Sequence, residues 1–198
     1  MVFKEKRLEV LHDHYKDTFT HIQSYLKLRD RLLVYVLLVV AAMLFQIYST
    51  RDADAVLSEA IKQKFGVTTT INTSFIGSLL WFALLALLVR YYQAVVHVDR
   101  QYRYIHGLEK SLNPIFGGST FTREGSSYKT GYPLFSGWTH ILYTFMVPVI
   151  LMGVVVARLV FDFSVLTASS LLLWVNLVIA ISIYVSTVLY VIWLRCRE

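Results

Sequence analysis

Cysteine occurs once, at Cys196, so the chain can form no internal disulfide and no cysteine-based metal site. Charge is also scarce. Only 16% of residues are Asp, Glu, Lys or Arg, against about 25% in an ordinary soluble domain. Long blocks carry little or no formal charge. Ionisable groups buried within a membrane are the strongest pointers to proton-coupled transport or voltage sensing. No apolar block has one at its centre, which argues against both classes. The sequence also lacks a His-Glu-x-x-His, a Gly-x-Ser-x-Gly and a phosphate-binding glycine loop. Gly117-Gly118-Ser119 is too short to count as one. His12 and His14 are two residues apart, the wrong spacing for sharing a helical face. The chain is therefore read as a non-enzyme holding no metal or cofactor. Its first thirty residues are charged and periodic, unlike a cleavable signal peptide.

What is abundant is apolar surface. Hydrophobic residues make up 56% of the 198 residues and collect in four blocks. A span needs about 20 predominantly apolar residues. The expected fold is an all-α membrane protein with four transmembrane helices, in which spans one and two have helical cytoplasmic extensions. The expected organisation is an amphipathic arm at 1–31, a first span at 32–49 and an external loop with a short helix at 50–74. A second span at 75–96 and its extension at 97–113 follow. A loop rich in aromatics and glycine occupies 114–137, and spans three and four fall at 138–159 and 165–194, all within one membrane domain.

Direction follows from Lys and Arg. Fifteen lie in 1–31, in 90–135 and in the tail, and four lie in the other segments. The positive-inside rule then puts both termini and the middle loop in the cytoplasm of a plasma (inner) membrane protein. The net charge of +6 is mostly topogenic. Its default partner is the anionic lipid headgroup, with nucleic acid the weaker reading.

Two stretches repeat apolar residues at helical spacing. Leu8, Leu11, Tyr15, Phe19, Ile22 and Leu26 form one stripe, and Val95, Val98, Tyr102, Ile105, Leu108 and Leu112 form another. Pro114 ends the second after Asn113. Both extensions leave the membrane on the same side, so the simplest cover for two apolar stripes is an antiparallel pair or a larger bundle. The alternative for the first is a helix lying on the membrane surface. The middle loop has five Gly, two Pro and the aromatics Phe116, Phe121, Tyr128, Tyr132 and Phe135. It either docks a partner or plugs the cytoplasmic end. The candidate partner-binding residues are Tyr15, Phe19, Tyr102, Ile105, Arg123, Glu124, Tyr128 and Tyr132.

Within the spans, the polar residues of interest are Gln46 and Asn176. Ser182 and Ser186 form a small-xxx-small pair that permits close helix approach. Pro148 removes one backbone hydrogen bond and is expected to kink span three. These five residues are candidates for helix packing or, in an oligomer, for lining a pore. Asn176 is expected to hydrogen-bond to a neighbouring helix. Arg158 and Asp162 are expected at the outer turn between spans three and four, within reach of water or of each other.

The phrase Val98-Asp99-Arg100-Gln101-Tyr102-Arg103-Tyr104-Ile105-His106-Gly107-Leu108-Glu109, with Arg123-Glu124-Gly125-Ser126-Ser127-Tyr128 and Tyr132-Pro133, resembles small bacterial membrane proteins found with anti-phage defence genes. In length and span number the chain is similar to the membrane component of the Kiwa system. The resemblance covers the architecture of most of the chain. It implies a membrane-resident sensor or effector that forms homo-oligomers and works with a soluble cytoplasmic protein. It supplies no catalytic residue. Two functions are expected on these grounds: a sensor or scaffold subunit, or an oligomeric pore that dissipates ion gradients.

Overall fold

The computed structural model describes residues 2–49, 73–116, 146–167 and 169–196, with isolated positions at 55, 56, 59, 62, 63, 138 and 142. Four α-helices carry the fold: α1 (Val2–Tyr48), α2 (Thr73–Leu112), α3 (Val147–Val165) and α4 (Leu171–Arg195). Each is long and apolar enough to cross a membrane. There is no strand among the described residues.

The local sequence explains these lengths. No Gly or Pro interrupts α1, so its 47 residues run unbroken, about 70 Å at 1.5 Å per residue. The 40 residues of α2 continue past Gly107 and stop at Leu112. Pro114 follows and cannot extend the ladder, and the chain turns through a short 3-10 helix at Asn113–Phe116. The described positions between α1 and α2 (Ala55, Val56, Glu59, Lys62 and Gln63) are helical, in the stretch where a short helix is expected.

α3 ends later than the sequence suggests. It reaches Val165, so Arg158 and Asp162 lie inside the helix rather than in a turn. Pro148 is the second residue of α3, where a missing N–H costs nothing. The kink expected there depends on the residues before it, most of which lie outside the described residues. Residues 166–170 connect α3 to α4. Leu166 N–H closes the end of α3 on the Asp162 carbonyl at 2.8 Å.

The chain separates into two compact units. The arm unit comprises Met1–Arg31 and Tyr91–His140, and the span unit Leu32–Arg90 and Ile141–Glu198. α1 and α2 each contribute one segment to both.

In the arm unit the two apolar stripes face each other. Ile22, Val98, Ile105, Leu108 and Leu112 are buried. Two contacts fix the direction. The Tyr15 hydroxyl donates to Glu109 Oε1 at 3.4 Å, and the rings of Tyr25 and His97 stand 4.0 Å apart. As α1 numbers rise, α2 numbers fall, so the helices pair antiparallel. In the span unit the buried positions recur one helical turn apart. They are Val36, Met43 and Gln46 on α1, and Ser78, Trp81, Leu84 and Leu88 on α2. On α3 they are Leu151, Val154, Val155, Arg158 and Asp162. On α4 they are Leu173, Asn176, Ile179, Ala180, Ile183 and Thr187. The opposite faces, with Phe82, Val149, Val160 and Leu189, are apolar and exposed.

Candidate functional site

A polar cluster built from all four helices lies inside the span unit. At its centre is an ion pair one helical turn apart on α3. Arg158 Nε stands 3.1 Å from Asp162 Oδ1, and each residue is 3% exposed. The expectation that this pair lies in the outer turn, within reach of water, is thus corrected. The apolar run of α3 extends past these residues, which places them on its interior face. An acid in the last turn of a helix opposes the helix dipole, so Asp162 requires compensation. It receives it from the Arg158 charge and from two hydrogen-bond donors. Besides Arg158, Trp81 Nε1 of α2 donates to Oδ2 at 2.7 Å, and Asn176 Nδ2 of α4 donates to the same oxygen at 2.9 Å.

Arg158 is held as closely. Its Nη1 donates to the Met43 carbonyl of α1 at 3.4 Å. Its guanidinium carbon lies 5.2 Å from the centre of the Phe161 ring, within cation–π range. The guanidinium passes through a notch that exists because residue 77 is glycine. A β-carbon there would collide with Arg158 Nη2. Gln46 Oε1 flanks the same notch.

The cluster sits at the end of the unit that carries the 49–72 and 166–170 connections. Gln46 is in the last turn of α1, Trp81 in the third turn of α2, Asp162 in the last turn of α3 and Asn176 in the second turn of α4. The pair is net neutral. Among the described residues, the other side chains of the cluster, Trp81, Asn176 and Gln46, do not titrate. The arrangement ties four helices together at one charge pair. Asn176 Oδ1, also buried, has no hydrogen-bond donor among the described residues.

The other sequence candidates fall as follows. Asn176 and Gln46 are 1% and 2% exposed, so within one chain they face its interior. Asn176 makes the expected hydrogen bond to a neighbouring helix, here α3. Ser182 and Ser186 are half-buried. Their hydroxyls donate within α4, to the Val178 carbonyl at 2.8 Å and the Ser182 carbonyl at 2.7 Å. In the arm unit Tyr15, Phe19 and Tyr102 are half-buried. Ile105 is fully buried and therefore packs the arm core, because the stripe that made it conspicuous is consumed by the helix pair. Arg123, Glu124, Tyr128 and Tyr132 lie outside the described residues. Among the described residues no group of three His, Cys, Asp or Glu could hold a metal ion.

Trp81 and Gly77 were not conspicuous in the sequence. Their signal was a glycine one turn before a tryptophan on a single face of an apolar helix, opposite an Arg-x-x-x-Asp pair flanked on both sides by apolar residues.

Four helices each long and apolar enough to cross a membrane, closed around a buried ion pair, are consistent with a multi-pass membrane protein. No family model, curated protein or solved structure matches the chain.

Proposed function

We propose that the chain is an integral inner-membrane sensor or scaffold subunit without enzymatic activity. Its span unit anchors it in the bilayer, and its arm unit, on the cytoplasmic side, engages a soluble protein partner. One observation carries this reading. α1 and α2 are each a single unbroken helix with an apolar segment in the span unit and a charged, amphipathic segment in the arm unit. The same two helices thus supply a segment to each unit. The Lys and Arg distribution supplies the orientation. The exposed apolar faces of the span unit accommodate lipid and a second copy of the chain. The resemblance at 98–109 and 123–133 adds antiviral defence to the proposal.

The pore reading would run through Asn176 or Gln46. Their burial within a single chain weighs against it.

Two measurements test the proposal. In a Cys196→Ser background, a cysteine at Thr20 should label from the cytoplasm and one at Ser58 from outside. The reverse pattern overturns the topology. In liposomes the purified chain should pass no ions or dye. It should co-purify with a soluble protein that is lost on deleting residues 1–28 or on changing Tyr128 and Tyr132 to Ala. Flux that responds to Asn176→Leu would instead establish the pore. A chain that leaves the plating of a phage panel unchanged removes the defence component.

A further inference from the structure

The outward face of α2 in the arm unit carries no acid. Between Tyr91 and Leu112 there are two carboxylates, Asp99 and Glu109, and both are buried. The three cations of the same stretch, Arg100, Arg103 and Lys110, are exposed. Arg103 lies 3.3 Å from Asp99, yet its side chain is 61% exposed. Arg100, Arg103, Tyr104, Gly107 and Lys110 follow one another at helical spacing and share a face, about 15 Å long at 1.5 Å per residue. Tyr104 is 49% exposed on that face. α1 is different. Its exposed positions mix Lys6, Lys16 and Lys27 with Glu9, Asp13 and Asp17. The single-sign face is thus the opposite side of α2 from the buried stripe that holds Ile105.

Gly107 lies in the middle of this face and is exposed. Among the described residues a β-carbon there would meet nothing within 4 Å, and the backbone is not in the left-handed region that favours glycine. Neither packing nor backbone geometry within the chain calls for glycine, although glycine weakens a helix interior relative to alanine. What a bare helical surface offers is close approach by another helix, as small residues do wherever helix backbones come together.

We propose that this face docks an acidic helical segment of a soluble protein. The segment would place Glu or Asp one turn apart against Arg100, Arg103 and Lys110, with its backbone crossing at Gly107. This rests on the reading of the arm unit as a partner-docking element, and it names the surface and the partner's chemistry. The chain's own 117–137 segment is no complement, because it holds Glu124 against Arg123 and Lys129. Lipid headgroups and nucleic acid supply negative charge but draw no benefit from a bare glycine.

The test uses the full chain in zwitterionic nanodiscs. The probe is a fluorescent, alanine-rich helical peptide bearing glutamates along one face. Anisotropy at low salt should show binding that Arg100→Glu combined with Lys110→Glu weakens at least about tenfold, as charge reversal in an electrostatically matched interface does. A peptide with lysines in place of the glutamates should bind the reversed chain better than the original. Gly107→Leu, which leaves the charge unchanged, should weaken the glutamate peptide's binding severalfold. These positions are exposed, so circular dichroism should show no loss of helix content. The proposal is overturned if charge reversal leaves binding unchanged, or if a proline-interrupted peptide of the same composition binds as well. It is also overturned if anionic vesicles or a single-stranded oligonucleotide bind where the peptide does not. Loss of the peptide interaction with arm-dependent co-purification intact rejects this face alone. Peptide binding without any arm-dependent co-purification rejects the broader reading alone.

Discussion

Asp162 of the span unit and Glu109 of the arm unit are both buried carboxylates, and they are held very differently. Asp162 in the span unit has a guanidinium at 3.1 Å and hydrogen bonds of 2.7 and 2.9 Å from an indole and an amide. Glu109 in the arm unit has a tyrosine hydroxyl at 3.4 Å and an imidazole at 4.0 Å, with the His106 side chain 39% exposed. The contrast follows from the surroundings. In an apolar unit a charge requires full neutralisation and well-aimed donors, because no solvent supplies what the protein omits. In a charged, amphipathic helix pair, water lies one side chain away and looser contacts suffice. The contacts of Asp162 are therefore shorter than the Tyr15 and His106 contacts of Glu109.

Substitutions sharpen or break this comparison. The largest effect is expected for Asp162→Leu, which strands the Arg158 guanidinium among apolar side chains. Removing one partner of a buried pair costs about 3–5 kcal/mol, which should appear as a large drop in the thermal midpoint of the detergent-solubilised chain. The double change Arg158→Met with Asp162→Leu should lie closer to the wild type than Asp162→Leu does, since apolar replacement of a whole pair is neutral or stabilising by about 1–4 kcal/mol. If the double change is the worse of the two, the cluster's net contribution exceeds that of an apolar core and the desolvation argument fails.

Next is Trp81→Phe. It keeps a ring and removes the donor to Asp162, for a loss of about 1.5–3 kcal/mol, the range for a hydrogen bond to a charged group. Gly77→Ala fills the notch through which Arg158 passes and should cost about 1–3 kcal/mol as overpacking does. That cost should vanish when Arg158 is already Met, and a cost that persists would show that the notch serves something other than Arg158.

The arm unit should respond far less. Tyr15→Phe removes one half-exposed hydrogen bond, for about 0.5–1.5 kcal/mol, and hydrogen exchange of the arm helices should rise only slightly. The smallest effect, with opposite sign, belongs to Gly107→Ala. It should stabilise the arm helix by about 0.5–1 kcal/mol, read as a rise in helix content or midpoint. A Tyr15→Phe loss as large as that of Trp81→Phe would erase the distinction between the units.

Much of the fold was legible because it is local. The absence of Gly and Pro through α1 and the stop at Pro114 are written in consecutive residues. So are the two apolar stripes, whose spacing anticipated a pairing now seen at Tyr15–Glu109 and Tyr25–His97. The ion pair was legible only in part. Arg158 and Asp162 one turn apart were expected to reach each other, and they do. Their burial was misread because charges at the edge of an apolar run look like a turn. The misplacement set the end of the third helix too early. Ile105 was misread for the opposite reason: an apolar residue on a helical stripe looks available until a second stripe covers it.

The sequence by itself determined where the helices run, which face of each is apolar and which segments carry charge, since each depends on residues within a few turns of one another. Only the tertiary structure decided that Arg158 reaches Met43 across the notch at Gly77, and that Trp81 and Asn176 converge on one oxygen of Asp162. It also decided that the cations of α2 stay outside while its acids turn in. The physical reason is that a buried charge is satisfied by whichever donors packing brings to it. Here a donor to Asp162 lies 81 residues away in the chain and an acceptor for Arg158 lies 115 residues away, a distance over which no periodicity carries information.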